Sequence, residues 1–248
     1  MKNSKIKNKN FQKELEDHQQ NESTSITRSN IRDFILGYQD GLVNTLGLVL
    51  GVASAVQSSR LVLISGLVTT FAESVSMAAV AYTSNKAAHE FYSRQLEKEK
   101  REIEEIPHIE REEIKQIFYK KGFRGKQLDG IVKKITSDKQ LWLDTMMSEE
   151  LRLYPDDYDS PVKSGFVVGL SAVIGSLVPV LPFFFFSVKT GMIASLVLSI
   201  LTLFTVGAVK SKMTVGSWKK SGLEMMLVGT VAALVGYVVG SLLGVIYP

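Results

Sequence analysis

Four long runs of this chain carry no charged residue: Gly41 to Ser59, Ser164 to Val188, Thr190 to Val209 and Met225 to Pro248. A fifth, Leu61 to Asn85, is interrupted only by Glu73. Each is close to the ~20 residues that cross a ~30 Å hydrocarbon core. A soluble helix is shorter and polar on one face. The runs therefore predict five membrane spans. The net charge of +4 says little, because the charges are segregated. They crowd into residues 1–33, 86–163 and 210–224. The chain has no cysteine, so a disulfide framework, a thiolate metal site and a thiol nucleophile are excluded.

The first apolar run follows more than thirty mostly polar residues and is too long for the core of a cleavable signal. Residues 1–30 are dominated by Lys, Asn, Gln, Glu and Ser, a composition that reads as a disordered polar tail. Residues 31–88 then hold spans one and two, and 161–248 hold spans three to five. Span one runs from about Phe34 to Val56. It has two small-xxx-small spacings, Gly37 with Gly41 and Gly47 with Gly51, which suit close helix approach in lipid. Gly236, Gly240 and Gly244 make a similar stripe in span five. These stripes are expected to serve a close-packed interface between two copies. Pro179 and Pro182 should kink span three near its end or free backbone carbonyls there.

No proline or glycine follows Gly66 until Pro107. Span two is therefore expected to continue as one helix to about Glu105, roughly 60 Å at 1.5 Å per residue. Pro107 removes a donor and biases Ile106 away from helix. Three further helices are expected: about Ile109 to Lys121, Lys126 to Thr136, and Lys139 to Leu153. Leu128, Ile131, Val132 and Ile135 share one face of the second, and the third carries Leu141, Trp142, Met146 and Leu151. Residues 89–160 thus read as a helical domain inserted between spans two and three.

That insert carries the densest ligand chemistry. Glu99 and Glu102, then Glu110 and Glu113, recur at helical spacing, and Met146-Met147 lies one turn before Glu150. Residues three or four apart share a helix face. Carboxylates are hard oxygen ligands and thioethers are soft. Glutamates alone suit Mg2+, Ca2+ or Mn2+, and adding methionine tilts the set toward Fe2+. Two plainer alternatives stay open: a solvated face salted by Lys98, Lys100, Arg101 and Arg111, and methionines that only fill a core. The same pairing recurs in the spans as Asp40 with Met77, accompanied by Glu73. An ionisable group inside a span is a functional candidate by default. A carboxylate that takes either a proton or a metal is a minimal exchange device.

Loop charge sets the orientation. Lys210, Lys212, Lys219 and Lys220 lie between spans four and five, while the turns after spans one and three offer Arg60 and Lys189. The positive-inside rule then puts the N terminus and the 89–160 domain in the cytoplasm and the C terminus outside or in a lumen. Asp40 and Met77 fall at one depth, roughly 9 Å from the cytoplasmic side. His89 and His108 read as surface residues. Glu105-Ile-Pro-His108 has Glu-x-x-His spacing, but Pro107 spoils the helix that a di-iron site needs. No P-loop, nucleophile triad or dinucleotide fingerprint is present, and no enzyme or nucleic-acid reading follows.

Four stretches together resemble the vacuolar iron transporter family: Asp40-Gly-Leu-Val-Asn-Thr-Leu-Gly-Leu-Val-Leu-Gly51, Glu73-Ser-Val-Ser-Met-Ala-Ala79, Trp142-Leu-Asp-Thr-Met-Met-Ser-Glu-Glu-Leu151 and Gly175-Ser-Leu-Val-Pro-Val-Leu-Pro182. The similarity covers about Asp33 to Tyr247. It implies an all-α integral membrane protein, a homodimer of five-span protomers with a cytoplasmic metal-binding domain. It implies proton-coupled export of Fe2+ and Mn2+ from the cytosol, across a cell or vacuolar-type membrane, with Zn2+ and Co2+ as further ions and no prosthetic group. The ligands implied are Glu99, Glu102, Glu110, Glu113, Met146, Met147 and Glu150 in the domain, and Asp40 and Met77 in the membrane. Thr69 stands where the family pattern has a further carboxylate, and Glu73 is the expected substitute. Glu224, before Met225 and Met226, is a weaker candidate. The competing function is a membrane-anchored iron sensor or store without transport.

Overall fold

The computed structural model describes residues 25–155, 160–211 and 216–246. Every element among them is helical. In chain order these are α1 (Ser25–Ala55), α2 (Ser59–Glu105), α3 (Pro107–Lys120), α4 (Gly125–Thr136), α5 (Lys139–Thr145), a π-helical turn (Met146–Glu150), α6 (Pro161–Val180), a 3-10 turn (Leu181–Phe184), α7 (Val188–Ser211) and α8 (Trp218–Ile246). Five helical segments are long and apolar enough to cross a membrane. Lys212 and residues 1–24 of the expected tail lie outside the described residues, as does part of the expected return to span three. Residues 25–30, read as tail, already belong to α1. Helix formation needs backbone bonding rather than apolar side chains, so the helix outruns the apolar stretch.

The chain divides into two units. The first holds α1, the part of α2 up to Tyr82, and everything from Pro161 onward. Within it α1 packs most extensively on α6 and α8, and α8 also packs on α7. Leu42, Leu46 and Val49 of α1 are fully buried. The glycines explain why α1 is central. A Cβ on Gly41 would meet the Ala172 carbonyl of α6, and one on Gly175 would meet the Tyr38 carbonyl of α1. Gly236 and Gly240 of α8 lie against the Gly47 and Gly51 carbonyls. Small residues let backbones approach where van der Waals packing drives association. The stripes expected at an interface between copies are thus used inside one chain. The Ser195 hydroxyl of α7 donates to the Pro179 carbonyl of α6 at 2.8 Å.

The second unit spans Thr83–Ser160. Ile103, Ile114, Leu128, Val132, Ile135, Trp142, Leu143, Met146 and Met147 form its core. Pro107 is the first residue of α3, where its missing N–H costs nothing, so α3 starts two residues before the expected Ile109. Asp138 caps α5, accepting from the Gln140 and Leu141 amides at 2.9 and 3.2 Å. The expected helix from Lys139 to Leu153 is broken by the π turn, closed by Leu151 N–H donating to the Met146 carbonyl at 3.2 Å. Leu141 is exposed, and Leu143 lies in the core. One extra residue per turn lets the consecutive Met146 and Met147 both face inward, with 0 % and 3 % exposure.

Candidate metal sites

The second unit brings three of the expected carboxylates together. Glu99 comes from α2, Glu110 from the first turn of α3 and Glu150 from the end of the π turn. One ligand oxygen from each lies within 4.8 Å of the others. Glu99 and Glu110 are each 3 % exposed, while Glu150 is open to solvent. Glu110 Oε2 is buried with no hydrogen-bond partner among the described residues. A buried, unpaired carboxylate oxygen is costly unless a proton or a cation completes it.

The electrostatics follow from that crowding. Burial, then the charges of Glu113, Glu99, Glu150 and Glu102, pushes the Glu110 carboxyl up to about 7. Burial, then Glu113 and Glu99, pushes Glu150 up to about 7, with Lys98 opposing. Glu102 and Glu113 thus act on the trio electrostatically. Lys98 Nζ lies 3.0 Å from Glu102 Oε2 and 4.0 Å from Glu99 Oε1. Met146 and Met147 pack into the apolar core. Three hard oxygens at this separation suit a divalent cation that keeps some of its water.

The first unit holds the second group. Asp40, Glu73 and Met77 line one open groove on α1 and α2, together with Asn44, Thr69 and Ser76. Asn44 Nδ2 lies 3.2 Å from Asp40 Oδ2 and also donates to Glu73 Oε1. Glu73 Oε2 is buried without a hydrogen-bond partner among the described residues. The three residues expected in the membrane therefore line one groove. Asn44, not singled out from the sequence, joins two of them. It sits one turn after Asp40 on the same face. Thr69 does line the groove. Glu224 is exposed, and Met225 is buried beside Tyr38, Leu42 and Leu203. His89 and His108 are exposed, as expected.

The described residues form an all-helical integral membrane protein with carboxylates gathered in two places. The model of the VIT family matches residues 31–241, and the chain belongs to that family. It is 31% identical over 208 residues to vacuolar iron transporter 1 of Eucalyptus grandis, covering 84% of each chain. It is 32% identical over 208 residues to vacuolar iron transporter 1 of Oryza sativa subsp. japonica, covering 84% of this chain and 82% of the relative. Against Protein CCC1 of Saccharomyces cerevisiae it is 29% identical over 223 residues, covering 86% of this chain and 69% of the relative.

Proposed function

We propose that this chain exports Fe2+, and also Mn2+, from the cytosol across a membrane in exchange for protons. The observation that carries the reading is the convergence of Glu99, Glu110 and Glu150 from three separate helical elements, with Glu110 Oε2 buried and without a hydrogen-bond partner among the described residues. Family membership and relatives named as iron transporters support metal movement as the activity. In this reading the trio gathers the ion with help from Glu102 and Glu113. Met146 and Met147 serve as softer ligands at need, and Asp40, Asn44, Glu73 and Met77 form the station inside the membrane. Asp40 holds a metal or a proton, never both, which ties the two fluxes together.

Lys210, Lys219 and Lys220 between the last two spans support a cytoplasmic N terminus and a cytoplasmic metal-gathering unit. The open side of the Asp40–Met77 groove supports a homodimer, because carboxylates facing lipid are costly and a second copy would cover them.

The second reading, an iron sensor or store, is favoured by one fact: the Glu99–Glu110–Glu150 group lies wholly within the second unit. Liposomes carrying the purified protein and an internal pH dye separate the two. Fe2+ uptake with proton efflux, both lost in Asp40→Asn, supports the exchanger. Binding without uptake supports the sensor or store. Uptake without proton movement removes Asp40 from coupling.

A further inference from the structure

The carboxylate group in the second unit has an ammonium at its edge. Lys98 Nζ lies 3.0 Å from Glu102 Oε2 and 4.0 Å from Glu99 Oε1. The other basic side chains of the neighbourhood are engaged elsewhere. Lys121 is ion-paired with Glu149 and lies over Phe118, and Arg111 lies over the Trp142 ring. The charges acting at the group are thus Glu99 and Glu102 from α2, Glu110 and Glu113 from α3, Glu150 from the π turn, and the one ammonium. Lys98 is 49% exposed and Glu99 is 3% exposed at the side chain. The ammonium therefore reaches in from water on a flexible stem and can return to water at little cost, as exposed ion pairs do.

We propose that Lys98 is a built-in competitor for the divalent cation, standing in for it when the group is empty and swinging out when it arrives. The inference rests on the reading that Glu99, Glu110 and Glu150 capture a metal. Two physical effects make the residue matter. In the empty state one positive charge offsets the repulsion among the carboxylates, which stabilises the group without a metal. When the ion arrives, the ammonium must give up its carboxylate partners, because a positive charge left beside a doubly charged ion would repel it. Both effects lower the affinity for metal. A weakened grip suits a group that must hand its ion on, whereas a storage site gains nothing from it.

The test is titration of the full-length protein in detergent with Mn2+, following the loss of the free-ion paramagnetic resonance signal. Glu110→Gln identifies the part of the binding that belongs to the trio. Lys98→Met keeps the stem and removes the charge, and it should bind Mn2+ about tenfold more tightly in that part. Lys98→Arg, which keeps the charge, should stay within about twofold of the parent. Lys98→Gln provides a second neutral variant should Lys98→Met fold poorly, and it carries the same expectation. Unchanged or weaker binding in the neutral variants, with Glu110-dependent binding intact in the parent, overturns the competitor role alone. Absence of any Glu110-dependent Mn2+ binding in the parent overturns the capture reading and, with it, this one.

Discussion

Asn44 and Glu73 are joined by a hydrogen bond, the amide of α1 donating to the carboxylate of α2. The same nitrogen lies 3.2 Å from Asp40 Oδ2. One neutral donor therefore sits between two carboxylates in a groove that Leu48, Val68, Ala72 and Met77 share with Thr69 and Ser76. Replacing it with an apolar side chain of similar size leaves both oxygens facing each other unbridged. Asn44→Leu should lower Fe2+ uptake into liposomes about tenfold, on the scale of one lost hydrogen bond to charged groups, ~1.5 kcal/mol. Uptake at the parent rate would show that Asn44 is a bystander.

The Glu110 and Glu150 carboxyls are both pushed from 4.5 to about 7, chiefly by burial and then by neighbouring carboxylates. The folded chain therefore binds protons here more tightly than the unfolded chain does. This contribution to stability is fully present below about 4.5 and is lost as pH rises through about 7. A bound divalent cation needs the deprotonated carboxylates, so its stabilising effect runs the opposite way and grows with pH. Melting curves taken with and without Mn2+ across this range should diverge as pH rises. Parallel curves would remove the trio as the metal's binding place.

Gly236 of α8 faces the Gly47 carbonyl of α1 so closely that a Cβ has no room. Gly236→Leu forces the two helices apart and should cost ~1–3 kcal/mol, the usual range for overpacking. The melting temperature in detergent should fall while the oligomeric state stays as in the parent, since this contact lies within one chain. A selective loss of oligomer at unchanged melting temperature would return the glycine stripe to an interface between copies.

The Ser164 hydroxyl of α6 donates to Asp33 Oδ2 of α1 at 2.5 Å, and the Asp33 carboxylate is 5% exposed. Arg32 supplies its other oxygen with a partner. Ser164→Ala leaves a buried carboxylate oxygen short of a donor and should destabilise the chain by ~1–3 kcal/mol. Ser164→Thr keeps the hydroxyl and should recover most of that, as read by thermal unfolding.

What could be read in advance follows from how each feature marks the sequence. Asp40, Glu73 and Met77 were legible because polar or sulfur-bearing groups stand out in apolar runs. Asn44 was not, because an uncharged amide in such a run carries no comparable signal. The glycine stripes announced close packing but not their partner, since spacing says how near a helix comes and not which one. Glu99, Glu102, Glu110 and Glu113 were legible as ligand pairs along helices. That Glu99, Glu110 and Glu150 converge is decided by how α2, α3 and the π turn pack, which is tertiary information. The helix expected through Leu153 failed for a related reason. A π turn has no periodicity of its own, and Met146-Met147 reads equally well as an α-helical pair.

The π turn at Met146–Glu150 also bears on comparing this chain with its kin. A residue inserted into a helix rotates everything after it by about 100°. The wide turn takes one more residue than an α-helical turn; before it Trp142 and Leu143 face the core, and at its end Glu150 bears on Glu99 of α2 and Glu110 of α3. The stretch therefore behaves as a phase shifter. A relative one residue shorter here would keep every ligand type in its sequence and lose the bearing of the last carboxylate, a difference that an identity score scarcely registers.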